Sequence, residues 1–179
     1  LRAFLEKEAD NVSGFIPSYF ELSFGRRLPE ECDPMSSEEP VSVRLSPDES
    51  ILLAGRVDRI DVKGDRFLII DYKTGMCPSQ KDVREGRNLQ VQLYLQAVQQ
   101  ILKGRKGLGG IYYQVKSEKD LGFGTLVLDG AIGEDLMPLL SKRKLFDSMD
   151  SLLDESNAKV VSILHAMRAG RFHPALDQR

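Results

Sequence analysis

Three charged residues interrupt apolar segments where a charge is expensive: Asp58 in "GRVDRID", and Asp71 and Lys73 in "LIIDYKTG". Side chains alternate along a strand, so Asp71 and Lys73 share one face and Tyr72 points to the other. Segments 50–62 and 66–75, joined by the turn "KGD", read as a hairpin. Residues opposite each other in such a pair lie within about 5.5 Å, which brings Asp58 beside Asp71. Two carboxylates that close on apolar strands repel and resist ionising unless a cation joins them. A hard cation such as Mg²⁺ or Mn²⁺ takes one or two carboxylates, adds waters and leaves room for a phosphate oxygen, and the Tyr72 carbonyl offers a further ligand. Water on such a metal attacks phosphorus at neutral pH, and a lysine at its edge orients that water and offsets developing charge. Asp, Asp and Lys in this layout describe phosphodiester hydrolysis. A solvated ion pair at a strand end remains the alternative for "DYK" alone.

The neighbouring residues strengthen the first option. Arg56 and Arg59 flank Asp58 and could face a polyanion. Gln90 and Tyr94 are four apart in "NLQVQLYLQAVQQIL", hence on one helix face, where an amide and a phenol could hydrogen-bond a phosphate or a metal-bound water.

Around these residues the pattern predicts an N-terminal helix over 1–12, a strand in "SYFELSFG" with Phe20, Leu22 and Phe24 inward, and a Pro- and Ser-rich mobile loop at 28–40. A short strand follows at 41–45, then the hairpin, whose second arm is apolar enough for a central strand. Residues 80–85 are polar and undecided. The helix over 88–102 has Leu89, Leu93, Ala97 and Ile101 in one column and Asn88 as its N-cap, and the glycine-rich "KGRKGLGG" ends it. Strands at 110–116 and 124–129 form another hairpin, and residues 134–170 are helical, with Gly170 as the stop. The expected fold is α/β, a central mixed sheet flanked by helices, in one domain spanning 1–179.

The 179 residues suffice for one buried core. Apolar runs such as "ILLA" fall far short of the ~20 residues of a spanning helix, so no membrane role is expected. Cys32 and Cys77 lack any CxxC spacing, and His165 and His173 are the only histidines, which excludes a self-contained zinc or iron–sulfur site and fits a reducing cytoplasm. A net charge of −2 argues against a free-standing, non-specific nucleic-acid binder, though not against an enzyme with a local basic groove. Starting at Leu1 and stopping soon after "GRFHP", the chain reads as a piece of a longer polypeptide.

Taken in order, "GRVDRID", "LIIDYKTG" and "QVQLY" resemble the motif series of the PD-(D/E)XK nuclease superfamily in its RecB/AddB-type branch, across about residues 15–115. The resemblance implies a restriction-endonuclease-like core, a metal held by Asp58 and Asp71, Lys73 as the catalytic lysine, and Gln90 and Tyr94 closing the site near DNA. Glu21 falls where many of these proteins carry an acidic residue on the preceding strand, as a further metal ligand or a solvated edge carboxylate. Arg56, Arg59 and Thr74 become candidate DNA contacts, with Arg59 alternatively pairing with Asp61 or Asp71. The implied activity is an exonuclease-type, Mg²⁺- or Mn²⁺-dependent deoxyribonuclease acting in double-strand break repair, with a helicase domain or a partner helicase–nuclease subunit attached. The alternatives are a stand-alone exonuclease of the CRISPR-associated or phage type and a catalytically silent scaffold that binds DNA or a partner. Two features depart from the branch. Residues 1–14 hold no histidine for the upstream metal ligand that members commonly carry, and His165 reads as a packing or surface residue. The cysteines that bracket this domain in cluster-bearing relatives have no counterpart here, so an iron–sulfur cluster is expected only in the intact protein.

Overall fold

The structure, a computed structural model, describes residues 13–115, 121–128 and 148–171, together with Glu6 and Ala9. Most of the expected N-terminal helix and residues 134–147 of the expected C-terminal one lie outside this set.

Strand β1 (Ile16–Phe24) is followed by a two-stranded sheet of β2 (Val41–Arg44) and β3 (Ser50–Leu53), then by β4 (Gly55–Lys63) and β5 (Arg66–Lys73). Helices α1 (Gln80–Arg84) and α2 (Gln90–Ile101) lead to β6 (Lys106–Val115) and β7 (Leu121–Leu128), and α3 (Met149–Arg168) ends the described chain. The main sheet has the order β1-β4-β5-β6-β7. Among the described strands only β5 and β6 are parallel neighbours, and such a pair needs a long crossover, here the segment carrying α1 and α2. This is the expected mixed sheet with flanking helices.

Central β5 is buried from Phe67 to Asp71. Phe67 and Ile69 face a core shared with Val91, Leu95 and Val98 of α2 and with Leu152 and Val160 of α3. Leu68 and Ile70 face a second cluster with Phe15, Leu108, Ile111 and Tyr113. The buried line of α2 therefore runs through Val91, Leu95, Val98 and Leu102, beside the predicted column, whose Leu89 and Leu93 are half-buried. Among the described residues no helix is long and apolar enough to cross a membrane.

Several boundaries differ from expectation for local reasons. The first hairpin arm is two strands: β3 joins β2, and the chain passes at Ala54 into β4 of the main sheet. The glycines at 107, 109 and 110 end no helix but lie within β6. Gly109 has φ +135° and faces Val127 so closely that a Cβ would stand 2.0 Å from its carbonyl oxygen, and there the β5–β6 register slips by one residue. In β1, Phe20 is 54% exposed rather than inward. Glu21 adopts φ +52°, a left-handed conformation, so the alternation breaks there and Leu22, Ser23 and Phe24 are buried in succession. The 28–40 segment is tied down rather than loose: Ser23 N–H donates to Ser36 Oγ at 3.0 Å, and Ser37 N–H to the Ser23 carbonyl at 2.9 Å. These bonds cover part of an edge strand that would otherwise expose its backbone.

Candidate active site

The β4–β5 ladder runs antiparallel as far as Arg59 opposite Ile70. One further step would place Asp58 opposite Asp71. The ladder stops there, and the Tyr72 N–H donates instead to Asp58 Oδ2 at 2.9 Å. On its other side β5 stays paired with β6 out to Lys73 opposite Gln114. The end of β5 is thus held by one neighbour and released by the other, and both carboxylates sit at that fork.

Asp71 continues the helix-facing series Phe67, Ile69, and it is 5% exposed. Burial raises its pKa above the ordinary carboxylate range; Lys73 and Gln90 pull it down, and the Asp58 charge adds to the rise. Lys73, next on the same face, places Nζ 2.6 Å from Asp71 Oδ2. Its approach is off-axis, so this buried oxygen has no well-aligned hydrogen-bond donor.

Gln90 completes the cluster from the first turn of α2. Its Nε2 donates to Asp71 Oδ1 at 2.7 Å, and its Oε1 accepts from Lys73 Nζ at 3.0 Å. The partners fix the amide orientation, because turning it over would set oxygen against carboxylate and N–H against ammonium. Leu89 is the N-cap of α2 and makes no side-chain cap bond. Asn88, the expected cap, accepts a long bond from the Gln90 N–H at 3.4 Å through Oδ1.

Helix α2 reaches the sheet because the strands beneath it present glycines. A Cβ on Gly110 would meet Val91 Cγ1 at 2.7 Å, and one on Gly107 would meet Leu95 Cδ1 at 2.6 Å. Gly55 makes the same allowance for Tyr94, where a Cβ would lie 2.7 Å from Cε1 and 2.9 Å from the hydroxyl. Tyr94 also meets Phe24 edge-on at 5.9 Å between ring centroids. It therefore fastens α2 onto the start of β4, outside the hydrogen-bonded group of Asp71, Lys73 and Gln90.

The remaining candidates separate. Arg59 takes the structural alternative: it is 4% exposed, donates Nε to Asp61 Oδ1 at 2.6 Å and Nη2 to Asp61 Oδ2 at 2.7 Å, and donates Nη1 to the Tyr72 hydroxyl at 3.0 Å. Burial disfavours its charge and the Asp61 pair more than offsets that, raising the pKa. The Asp61 pairing left open by the sequence is the one observed, and it keeps the guanidinium enclosed. Arg56 is exposed and pairs with Glu21 at 2.8 Å. This partner, with the left-handed backbone, makes Glu21 a surface carboxylate on the strand beside Asp58. Thr74 is exposed just past β5. His165 lies on the outside of α3, 3.3 Å from Glu49, as a surface residue. Sequence reasoning missed Tyr112, whose ring lies under the Lys73 ammonium at 5.6 Å, because that contact depends on the register of β6 against β5.

Among the described residues no group of three or more His, Cys, Asp or Glu stands ready for a metal ion. Two carboxylates at a fork, one with a buried oxygen lacking an aligned donor, nevertheless suit a hard cation that completes its shell with a backbone carbonyl, waters and a phosphate oxygen. Such a centre with a lysine at its edge can hydrolyse a phosphate ester.

Several known proteins are similar to this chain in sequence. An ATP-dependent helicase/deoxyribonuclease subunit from Clostridium novyi is 31% identical over 163 residues, which covers 83% of this chain and 13% of that protein. A protein of the same name from Clostridium botulinum strain Langeland is 40% identical over 101 residues, 54% of this chain and 8% of that protein. Another, from Caldanaerobacter subterraneus, is 33% identical over 123 residues, 61% and 10% respectively. The chain thus spans about a tenth of the length of these relatives. The family model of the PD-(D/E)XK nuclease superfamily matches residues 1–178, nearly end to end, and so the chain that folds its Asp, Asp and Lys into this fork belongs to that superfamily.

Proposed function

We propose that this chain is the nuclease domain of a helicase–nuclease, cutting DNA phosphodiester bonds exonucleolytically during double-strand break repair in the cytoplasm. The observation that carries the reading is the closed triangle of Asp71, Lys73 and Gln90 beside Asp58, with an Asp71 oxygen left without an aligned donor.

Asp58, Asp71 and the Tyr72 carbonyl would hold Mg²⁺ or Mn²⁺, which supplies an activated water and offsets charge on the phosphate. Gln90 keeps Asp71 in place by donating to Oδ1, leaving Oδ2 buried beside Lys73 without an aligned donor. The ammonium of Lys73 has three N–H donors. Gln90 engages one and Asp71 holds the ammonium as an ion pair, which leaves N–H groups for a phosphate oxygen or the attacking water. Arg56 and Thr74, exposed at the rim, suit the DNA backbone; Tyr94 acts by holding α2. With a net charge of −2 the chain supplies little of the electrostatic attraction that dominates DNA affinity, so a helicase domain or a partner helicase–nuclease chain provides it. The names of the relatives fit that division of labour.

The test is degradation of linear single- and double-stranded DNA, with closed circular DNA as the control for free ends, in Mg²⁺, in Mn²⁺ and in chelator. Metal-dependent loss of linear substrate is expected, falling about 10²–10³-fold in Asp71→Ala and Lys73→Ala, the scale seen when one electrostatic stabiliser is removed. Cleavage that survives intact in both variants would sink the reading. The lack of a third ligating side chain near the pair, among the described residues, favours one second reading, a silent scaffold, which would bind DNA and cut none of these substrates with either metal.

A further inference from the structure

Tyr112 is fully enclosed, at 0% exposure, on the helix-facing side of β6, directly opposite Asp71 in the parallel register. A phenylalanine would fill the same space, so packing alone does not account for the hydroxyl. Buried tyrosine hydroxyls find partners, and this one donates to Asn88 Oδ1 at 2.5 Å. That same oxygen accepts from the Gln90 N–H at 3.4 Å. Asn88 is itself anchored, since its N–H bonds to the Asp82 carbonyl at 3.1 Å and its carbonyl accepts from buried Gln92 at 3.1 Å. Meanwhile the face of the Tyr112 ring lies 5.6 Å from Lys73 Nζ, within the roughly 6 Å over which a ring attracts a cation.

Resting on the nuclease reading above, we propose that Tyr112 is a positioning residue for the reaction: its ring seats the Lys73 ammonium and its hydroxyl, through Asn88, sets the first turn of α2 that presents Gln90. Lysine has a long flexible stem, and a carboxylate and an amide on one side do not fix its height above the sheet. The ring supplies that limit from below. The two functions are chemically separable: Tyr112→Phe keeps the seat and removes the tie, whereas Tyr112→Leu removes both.

The experiment is single-turnover cleavage of linear DNA at saturating DNA and metal, with DNA affinity and melting temperature measured on the same preparations. Tyr112→Phe should slow cleavage about 5-fold, the worth of one ordinary hydrogen bond, with DNA affinity unchanged within about twofold. Asn88→Ala, which also removes the bond from the Gln90 N–H, should slow cleavage at least as much, and Tyr112→Phe with Asn88→Ala together should be no slower than Asn88→Ala alone, because the hydroxyl acts through Asn88. Tyr112→Leu should fall a further ~5-fold or more as the lysine loses its seat. A second readout does not need activity: amide hydrogen exchange at Gln90 should quicken in Tyr112→Phe and in Asn88→Ala while Leu95 and Val98 stay protected. Wild-type rate and wild-type Gln90 exchange in Tyr112→Phe would overturn the proposal, as would losses that multiply in the double variant or a Tyr112→Leu indistinguishable from Tyr112→Phe. A wild-type chain that cuts no DNA would overturn the nuclease reading instead, and the exchange measurement would then decide the tie on its own.

Discussion

Replacing Arg59 by Ala separates burial from DNA contact more sharply than any other single change. The guanidinium makes two short bonds to Asp61 and one to Tyr72, and both charged partners are almost wholly enclosed, at 4% and 3% exposure. Truncating it strands a buried carboxylate, which costs about 3–5 kcal/mol. Against a domain stability of roughly 5–15 kcal/mol this is a large share. In urea, with a slope of about 2 kcal/mol per molar, the midpoint should drop by roughly 1.5–2.5 M. Arg59→Met combined with Asp61→Leu should recover most of that, because replacing both charges by apolar groups leaves no buried charge unpaired. Arg56→Ala should do the reverse: stability within about 0.5 kcal/mol of wild type, but a DNA salt dependence shallower by about one unit of slope, as befits an exposed cation paired only at the surface with Glu21. The reasoning fails if Arg59→Ala unfolds at the wild-type midpoint and weakens DNA binding as Arg56→Ala does.

Two other perturbations probe how α2 is held. Gly110→Val adds atoms where a Cβ alone already meets Val91 at 2.7 Å and the Ile69 carbonyl at 3.1 Å, so it should cost about 1–3 kcal/mol. Assayed well below its melting temperature it should still cut DNA at least about tenfold more slowly than wild type, because Gln90 is drawn off Asp71; full activity in the folded variant would show that α2 does not set the site. Asp82, held down to about 2 first by the Ser79 hydroxyl and then by Arg87, caps α1, and its carbonyl accepts from the Arg87 and Asn88 N–H groups. A carboxylate lowered below its ordinary 3.8 stabilises above that pH and loses the contribution as pH falls toward about 2. The difference in unfolding midpoint between wild type and Asp82→Asn should therefore be flat above about pH 5 and shrink steadily below about pH 4, and a difference that grows on acidification would reverse the assignment.

What could be read from the residues divides along a physical line. Strand alternation is a property of the covalent chain, so Asp71 and Lys73 on one face and Tyr72 on the other follow from "LIIDYKTG" whatever lies nearby. The helical period likewise places Gln90 and Tyr94 on one side of α2. It does not say how far along the sheet each residue lands, and Gln90 reaches Asp71 while Tyr94, one turn later, settles over Gly55. Distances between elements depend on backbone conformation, on register and on where a ladder stops, and one irregularity of each kind lies near this site. Glu21 turns left-handed opposite Asp58, Gly109 inserts a residue into β6, and the β4–β5 ladder gives up its last rung. None has a strong signature in one sequence, since a glutamate with positive φ is rare and a glycine run reads equally well as a helix stop.

The surroundings of Arg59 and Tyr112 are less legible in the chain than those of Asp71, since both depend on neighbouring elements. A charge on a strand carries no mark of whether it meets solvent or a buried counter-charge, and Arg59 is enclosed because Asp61, two residues on, shares its face and the Tyr72 hydroxyl arrives from β5. Tyr112 faces Asp71 because the extra residue at Gly109 shifts β6 by one position, bringing Tyr112 rather than Ile111 onto the helix-facing side opposite Asp71. Carried on without that bulge, the Phe67–Gly107 register would set Ile111 opposite Asp71 and Tyr113 opposite Lys73, while Tyr112 turned to the other core. The glycine that reads as punctuation between a helix and a strand is, on this geometry, what selects the aromatic residue beneath Lys73.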